Sequence, residues 1–141
     1  MSPYIRDTFE THEINGETWS KYAAGFMFGI TGILYNPEKM TADEAGTWTV
    51  LNNPKFAKQI TIKDNVRDSY FAAVGALQRD KLMDTEFRAQ DDYSEQLKDI
   101  MNDVSPETIA KSQDLLQDIK DNVYSFETDS GKADMITGKV V

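Results

Sequence analysis

The 141-residue sequence has no cysteine and only one histidine, His12. Without cysteine, neither a disulfide framework nor a thiolate metal site can form. His12 lies in a polar leading segment with no other histidine to share a metal ion. The sequence also has no Gly-x-Ser-x-Gly nucleophile motif, which argues against a histidine-assisted hydrolase triad. We therefore predict no catalytic residue, no metal ligands, no cofactor and no enzymatic activity.

Long hydrophobic runs and positive charge are also scarce. No run approaches the roughly 18 apolar residues of a membrane span, and the amino terminus has no hydrophobic signal core. Lys and Arg number 15 against 24 Asp and Glu, which gives a formal net charge of -9. Such an acidic surface repels phosphate backbones, so nucleic acid is not an expected partner. Acidity also serves solubility, so by itself it only permits a cationic ligand.

The composition that remains is typical of a globular domain. Hydrophobic residues make up 40% of the chain and charged residues 28%. No Pro/Gly/Ser-rich linker divides the sequence, so residues 1–141 are predicted to form a single domain, with residues 1–20 as an entry segment. The order of elements is mixed α/β. The closing Val140-Val141 pair is typical of a strand cut short, so we expect a piece of a larger protein.

Two segments predict one side of a ligand-binding cleft. The apolar run over residues 22–36 is broken by glycines and predicts two buried strands that meet at a tight turn. Residues 60–63 alternate as a strand does, and Asp64 or Asn65 is suited to cap the helix that follows. The predicted buried face of that helix comprises Val66, Tyr70, Phe71, Ala73, Val74 and Leu77. This order places polar groups at strand ends, where open α/β sheets bind ligands.

The second half of the chain predicts further helices and short strands. Residues 80–92 are charged and irregular, which indicates a surface excursion without a site. Residues 92–95 fit a capping box that begins one helix, and Ser105-Pro106 begins another. The remaining predicted elements are a strand over residues 123–126, a short helix that ends at Met135, and a closing strand at residues 140–141.

Among the acidic residues, Asp68 is the strongest candidate for binding a cation. It lies one turn into the predicted helix, away from the apolar face, where it can face the crevice at the strand ends. A carboxylate about 4 Å from an organic ammonium contributes about 1 kcal/mol in water and about 4 kcal/mol at an effective dielectric constant near 20. Asp68 is therefore either a cation ligand or a solvated first-turn acid that complements the helix dipole.

Several segments together resemble the periplasmic spermidine/putrescine-binding proteins, the substrate-binding components of polyamine ABC transporters. Residues 22–36 resemble that family's PY-x-x-G-T-T-G-I-x-Y-N segment, and residues 60–68 resemble its I-x-x-x-D-D-x-R-E segment. Shorter matches are Trp48 and Leu51 with W-x-x-L, residues 126–129 with F-x-S-D, and residues 136–140 with M-x-x-G-E-V. The likeness extends from about Lys21 to the last residue.

The resemblance implies one lobe of a type II periplasmic-binding-protein-like fold, with a central mixed sheet flanked by helices. The chain would be the second of two lobes that close over a polyamine. Asp68 stands where the family has a glutamate that pairs with a ligand amine, Asn65 where it has an aspartate, and Thr128 where it has a ligand-contacting serine. Thr31 either lines the cleft or serves the strand turn.

The resemblance also implies partners and a location. The expected partners are a polyamine, the missing first lobe of the same protein and an ABC transporter permease. The expected location is periplasmic or extracellular, with membrane association through the parent protein. The family's principal aromatic and acidic ligand segment would follow Val141. Two alternatives stay open: a binding-protein lobe for another solute, such as iron, thiamine or an aminophosphonate, and a self-contained acidic interaction module.

Overall fold

The computed structural model describes residues 2–26 and 29–141. The chain divides into two compact units, Met1–Gly32 and Ile33–Val141. Each unit is described by itself below. The prediction that residues 1–141 form one domain stays a prediction.

The first unit is a helix followed by a small hairpin. Helix α1 (Pro3–Thr11) begins with proline at its first position, where a missing N–H costs no hydrogen bond. Strands β1 (Glu13–Ile14) and β2 (Glu17–Thr18) pair antiparallel. Asn15 and Gly16 connect them with φ values of 54° and 78°, the left-handed conformation that tight hairpin turns require. A 3₁₀ turn (Trp19–Lys21) follows.

The predicted pair of buried strands over residues 22–36 is wrong for the described residues. Residues 22–26 and 29–36 contain no strand, and Phe26 and Ile30 are 85% and 89% exposed. Residues 27 and 28, which the prediction included, lie outside the described residues. Glycine weakens a strand because it loses much conformational freedom and offers no side chain to pack. Three glycines interrupt this run, so its apolar residues alone did not determine a strand.

The second unit contains most of the helices. Its elements are α2 (Ala42–Ala45), 3₁₀ turns Trp48–Asn52 and Pro54–Phe56, β3 (Thr61–Lys63), α3 (Val66–Leu77), α4 (Arg79–Met83), α5 (Thr85–Arg88), α6 (Tyr93–Met101), α7 (Pro106–Asn122), β4 (Ser125–Glu127) and α8 (Gly131–Ile136). Strands β3 and β4 pair in parallel, with Ile62 opposite Phe126. The α/β character is confirmed. The described strands form two separate two-stranded sheets, however, which are smaller than the predicted central mixed sheet.

The core of the second unit lies where α3, α7 and the Trp48–Asn52 turn pack together. Ile119 of α7 and Ala73 and Val74 of α3 are almost completely buried. The other buried apolar residues of this unit are Met40, Ala45, Val50, Leu51, Phe56, Ile60, Ile62, Ala72, Phe87, Val123, Val140 and Val141. The parallel strand pair is therefore one edge of a mainly helical core.

The predicted strand and helix over residues 60–77 are confirmed, but the buried face of α3 differs from the prediction. Val66 is 86% exposed and Phe71 is also exposed. Ala73 and Val74 are buried as predicted, and the small residues Ser69, Ala72 and Gly75 are buried as well. Small side chains allow α3 to lie close to its neighbours, a packing requirement that hydrophobic periodicity does not report.

Residues 80–92 are more ordered than the predicted surface excursion. They include most of α4 and all of α5, and Phe87 is buried between charged neighbours in the sequence. The Asp84 side chain caps α5 by accepting a hydrogen bond from the Phe87 N–H at 2.6 Å. One apolar residue and one cap thus fix this segment.

The other helix starts were predicted with mixed success. Helix α7 begins as predicted, with Ser105 Oγ accepting from the Thr108 N–H at 3.3 Å. Helix α6 also begins where predicted, but the capping box is wrong because the Asp92 side chain makes no cap hydrogen bond. The predicted closing strand is wrong too: residues 140–141 are buried but form no ladder, and the Val141 N–H donates to the Gln59 carbonyl at 2.9 Å. No described helix combines the length and hydrophobicity needed to cross a membrane.

Candidate functional site

The first candidate site is the strand-end edge, which we define as Asp64, Asn65, Asp68 and Thr128 at the carboxyl ends of β3 and β4. The two strands run parallel with Lys63 opposite Glu127, so both lead to the same edge. The Asp64 N–H donates to the Glu127 carbonyl at 2.9 Å and extends the pairing by one step. The Lys63 ammonium donates to the carbonyl of Thr128. These bonds bring Asn65 and Thr128 to one end of the strand pair.

Asn65 fixes the start of α3. Its Oδ1 accepts hydrogen bonds from the N–H groups of Arg67 at 2.9 Å and Asp68 at 3.2 Å. Both donors belong to the first helical turn, where no carbonyl of the helix can reach them. Asn65 Oδ1 is therefore already engaged, and the side chain retains only its amide N–H donors for a ligand.

Asp68 is half-buried in the first turn of α3, and its carboxylate has no hydrogen-bond or ion-pair partner within the described residues. The helix dipole stabilises a negative charge there. The next residue, Ser69, instead turns inward and donates to the Lys63 carbonyl at 2.7 Å. Asp68 is thus held on a fixed element with its charge available to a cation.

The other two predicted ligand-binding residues are placed less favourably. Thr128 is exposed at the strand-end edge, directly after β4. Thr31 is exposed in irregular structure and belongs to the first unit, Met1–Gly32. The structure therefore brings Asn65, Asp68 and Thr128 onto neighbouring segments of one unit, and it does not add Thr31 to that group.

Sequence reasoning missed a second candidate site, an open cavity of about 500 Å³ beside the carboxyl-terminal half of α3. We call it the α3–α6 cavity. Its lining residues are Gly46, Thr47, Trp48, Phe71, Gly75, Arg79, Leu82, Met83, Arg88, Tyr93, Ser94, Leu97, Lys98 and Met101. The rings of Trp48 and Phe71 meet edge to face, with centroids 6.1 Å apart. This volume lies within the range of about 300 to 1,000 Å³ that is usual for small-molecule sites.

The charge of the α3–α6 cavity is opposite to that of the whole protein. Three cationic side chains line it and no acidic one does, although acids outnumber cations in the sequence. Arg79 pairs with Asp80 at 2.9 Å, and Arg88 Nε donates to the Leu82 carbonyl at 2.7 Å. Lys98 has no side-chain partner in the part of the chain that the structure describes. The cavity therefore combines apolar walls with at least one uncompensated positive charge.

Only some of the residues that line the α3–α6 cavity could have been identified from the sequence. Leu82 and Met83 form an apolar pair in a charged segment, a pattern that can indicate a short amphipathic helix. Trp48 stands out as a large residue and matches W-x-x-L, but neither observation indicates a ligand contact. The convergence of Arg79, Arg88 and Lys98 depends on how α4, α5 and α6 turn back on α3, which short-range patterns do not encode.

Comparison with known proteins decides the family. The sequence model described as bacterial extracellular solute-binding protein matches residues 3–126. The chain belongs to this family. No curated protein and no solved structure gives a significant match. Membership of this family gives the chain a solute-binding role linked to transport. The family's name agrees with a periplasmic or extracellular location.

The matched range of this solute-binding protein contains both candidate sites except for one residue. Asn65 and Asp68 lie inside residues 3–126, as does the whole lining of the α3–α6 cavity, whereas Thr128 lies just beyond the matched range. Solute-binding proteins of this kind are generally not enzymes. Within the described residues, no group of three or more His, Asp or Glu side chains is arranged to hold a metal ion.

Proposed function

We propose that this solute-binding protein binds a polyamine such as spermidine or putrescine and delivers it to an ABC transporter. The observation that carries the proposal is the half-buried, unpartnered carboxylate of Asp68 on the first turn of α3. A fixed carboxylate attracts a primary or secondary ammonium more strongly where water is partly excluded. The net charge of -9 adds a long-range attraction for a polycation.

The neighbours of Asp68 favour an extended ligand with several amines. Asp64 and Asp129 are exposed on the segments that follow β3 and β4, beside Thr128. A polyamine carries regularly spaced charges, so one amine can pair with Asp68 while another lies near these acids. The Asn65 side chain adds no charge, and Thr128 offers a hydroxyl that can accept a hydrogen bond from an ammonium.

The proposal extends to the rest of the molecule that binds the ligand. A ligand at the strand-end edge of one lobe is covered on one side only, so tight binding requires a second surface. We propose that the chain is the second lobe of a two-lobed protein of type II fold, that the first lobe closes over the ligand, and that a permease receives it. Membrane association would come through the parent protein.

The test is a titration of the ¹⁵N-labelled chain with spermidine and putrescine. Chemical-shift changes are expected at residues 64–68 and 127–131, since these surround the proposed ligand. Asp68→Asn removes the charge and keeps the size, so the variant should bind spermidine about fivefold more weakly, the equivalent of about 1 kcal/mol. Asn65→Asp keeps an oxygen that caps the helix and adds a charge, so it should bind more tightly.

Asp118→Asn is the matched control, because Asp118 is an exposed acid on α7 with no side-chain partner among the described residues. If it weakens spermidine as much as Asp68→Asn does, the attraction is only that of net charge and the proposed site is wrong. Because one lobe alone is expected to bind weakly, the titration extends to ligand concentrations at which weak complexes form. Absence of shifts there with either polyamine, in a chain whose spectrum shows a folded protein, would refute polyamine binding at this edge and leave another solute as the ligand.

A further inference from the structure

The α3–α6 cavity needs its own ligand chemistry, because its cationic lining is the opposite of what a polyamine requires. Arg79, Arg88 and Lys98 would repel an ammonium group. We propose that this cavity binds an organic anion with an apolar body, of the class of medium-chain carboxylates. The proposal does not depend on polyamine binding at the strand-end edge.

The apolar walls favour the body of such a ligand. The apolar side chains that line it are Trp48, Phe71, Leu82, Met83, Leu97 and Met101. Phe71 and Met83 are partly open to solvent there, at 37% and 44% exposure. Covering apolar surface of this kind tightens binding by up to about fourfold for each buried methylene group. Unbranched methionine side chains also adapt to ligands of different shape.

Gly75 contributes the space for the ligand body. A Cβ atom at this position would lie 2.5 Å from Cδ1 of Trp48, so only glycine allows the indole to rest against the α3 backbone. The ring is thereby drawn back toward the helix. A larger residue would displace the indole, which is itself part of the cavity wall, so the shape of the cavity depends on Gly75.

Lys98 and Arg88 supply the charge complement for the head group. Long cationic side chains often cover apolar surface while their charged ends stay in water, and that role needs no ligand. Here the guanidinium of Arg88 is held in place, because it donates to the Leu82 carbonyl and to Met83 Sδ at 3.2 Å. Its remaining N–H donors and the ammonium of Lys98 have no partner among residues 2–26 and 29–141. A carboxylate head group can accept a hydrogen bond from either of them.

The experiment compares three ligands with the same ten-carbon chain and different charge: decanoate, decanol and decyltrimethylammonium, each below its micelle concentration. The readout is the indole N–H resonance of Trp48 and the amide resonances of α6 in the ¹⁵N-labelled chain. Decanoate is expected to bind most tightly and decyltrimethylammonium most weakly. Octanoate should bind more weakly than decanoate by at most about 15-fold, as two fewer methylenes require.

Lys98→Met tests the head-group contact, since it removes the charge and keeps the apolar stem. It should weaken decanoate about fivefold and leave decanol unchanged, because a partly exposed ion pair is worth about 1 kcal/mol at most. Lys120→Met is the matched control: both lysines are exposed and lie in the last turn of a helix, α6 for Lys98 and α7 for Lys120. Three results would overturn the proposal. They are equal affinity for the three ligands, equal effects of the two substitutions on decanoate affinity, and chemical-shift changes at residues away from the cavity.

Discussion

The two ends of α3 differ in polarity and in charge. At its amino-terminal end, Asn65 and Asp68 belong to a polar, acidic edge that lies open at the ends of two strands. Along its carboxyl-terminal half, Phe71 and Gly75 line an apolar cavity with cationic side chains at its rim. One helix of twelve residues therefore separates an acidic, polar edge from an apolar cavity lined by cationic side chains.

The difference shows how a protein of strongly acidic composition can still contain a locally cationic cavity. Some cations of the second unit pair with acids, as Lys55 does with Glu44 and Lys139 with Asp134. Lys98 has no such acid within the described residues, and apolar neighbours lower the local dielectric constant. Net charge governs long-range attraction, whereas the local arrangement of side chains governs which ligand fits.

Gly75→Ala, on the cavity side of α3, is expected to have the largest effect on stability. Alanine is normally better than glycine in a helix by about 1 kcal/mol. Here its Cβ would lie 2.5 Å from Cδ1 and 3.0 Å from Nε1 of Trp48, so the indole must move. Overpacking of this kind costs about 1 to 3 kcal/mol, so we expect net destabilisation by about 1 kcal/mol. Urea unfolding measures the change, and decanoate binding should weaken in parallel.

The indole is the reason for the expected loss, so the control removes it. In a Trp48→Leu background the close contact disappears, and Gly75→Ala should then stabilise the chain by up to about 1 kcal/mol through helix propensity. A reversal of sign between the two backgrounds supports the steric explanation. Equal destabilisation in both backgrounds would show that Gly75 has a role other than making room for the indole. The glycine would then not determine the shape of the cavity.

The acidic end of α3 was largely predictable from local sequence. Alternation at residues 60–63 and the cap at Asn65 depend on neighbours only a few residues away, and the structure confirms both. That α7 begins at Ser105-Pro106 was predictable for the same reason. Asp68 could be singled out because a helix start fixes where its first-turn side chains lie. The ligand chemistry proposed there still depends on a resemblance rather than on these local patterns.

Neither the cavity at the cationic end of α3 nor the conformation of residues 22–36 was predictable in the same way. The cavity arises from side chains of α4, α5 and α6 that converge on α3, and the residue that creates its space is a glycine. Over residues 22–36 an apolar run predicted strands, yet a strand also needs a partner for its N–H and C=O groups. Hydrophobicity reports a preference for burial, not the presence of that partner.

Asn65→Ala should weaken the acidic end of α3 and leave the cavity intact. The substitution leaves the N–H groups of Arg67 and Asp68 without their cap acceptor, which costs about 1 kcal/mol. Asn65→Asp keeps a cap oxygen and should retain the stability of the unaltered chain. Urea unfolding of the two variants measures this difference. Decanoate affinity should be the same in both, and a loss in either one would show that the two ends of α3 are coupled.

Breaking the ion pair between Glu44 and Lys55 is expected to have the smallest effect on stability. It measures how much a cation that is paired with an acid contributes. Hydrogen bonds from the Lys55 ammonium and from the N–H and hydroxyl of Thr41 lower the pKa of Glu44 from 4.5 to about 2. Because this pKa is lower in the folded chain than in the unfolded chain, the stabilisation is complete above about pH 4.5 and is lost as the pH falls toward 2.

Glu44→Gln should therefore reduce the dependence of the unfolding midpoint on pH between about 4.5 and 2, while stability at pH 7 falls only slightly because the pair lies near the surface. Thermal unfolding across this range measures both. Glu107→Gln removes a more exposed pair with Lys111, whose ammonium also lowers the pKa of Glu107, and should change the profile less. If the two profiles coincide, the Thr41 bonds add nothing to the pair.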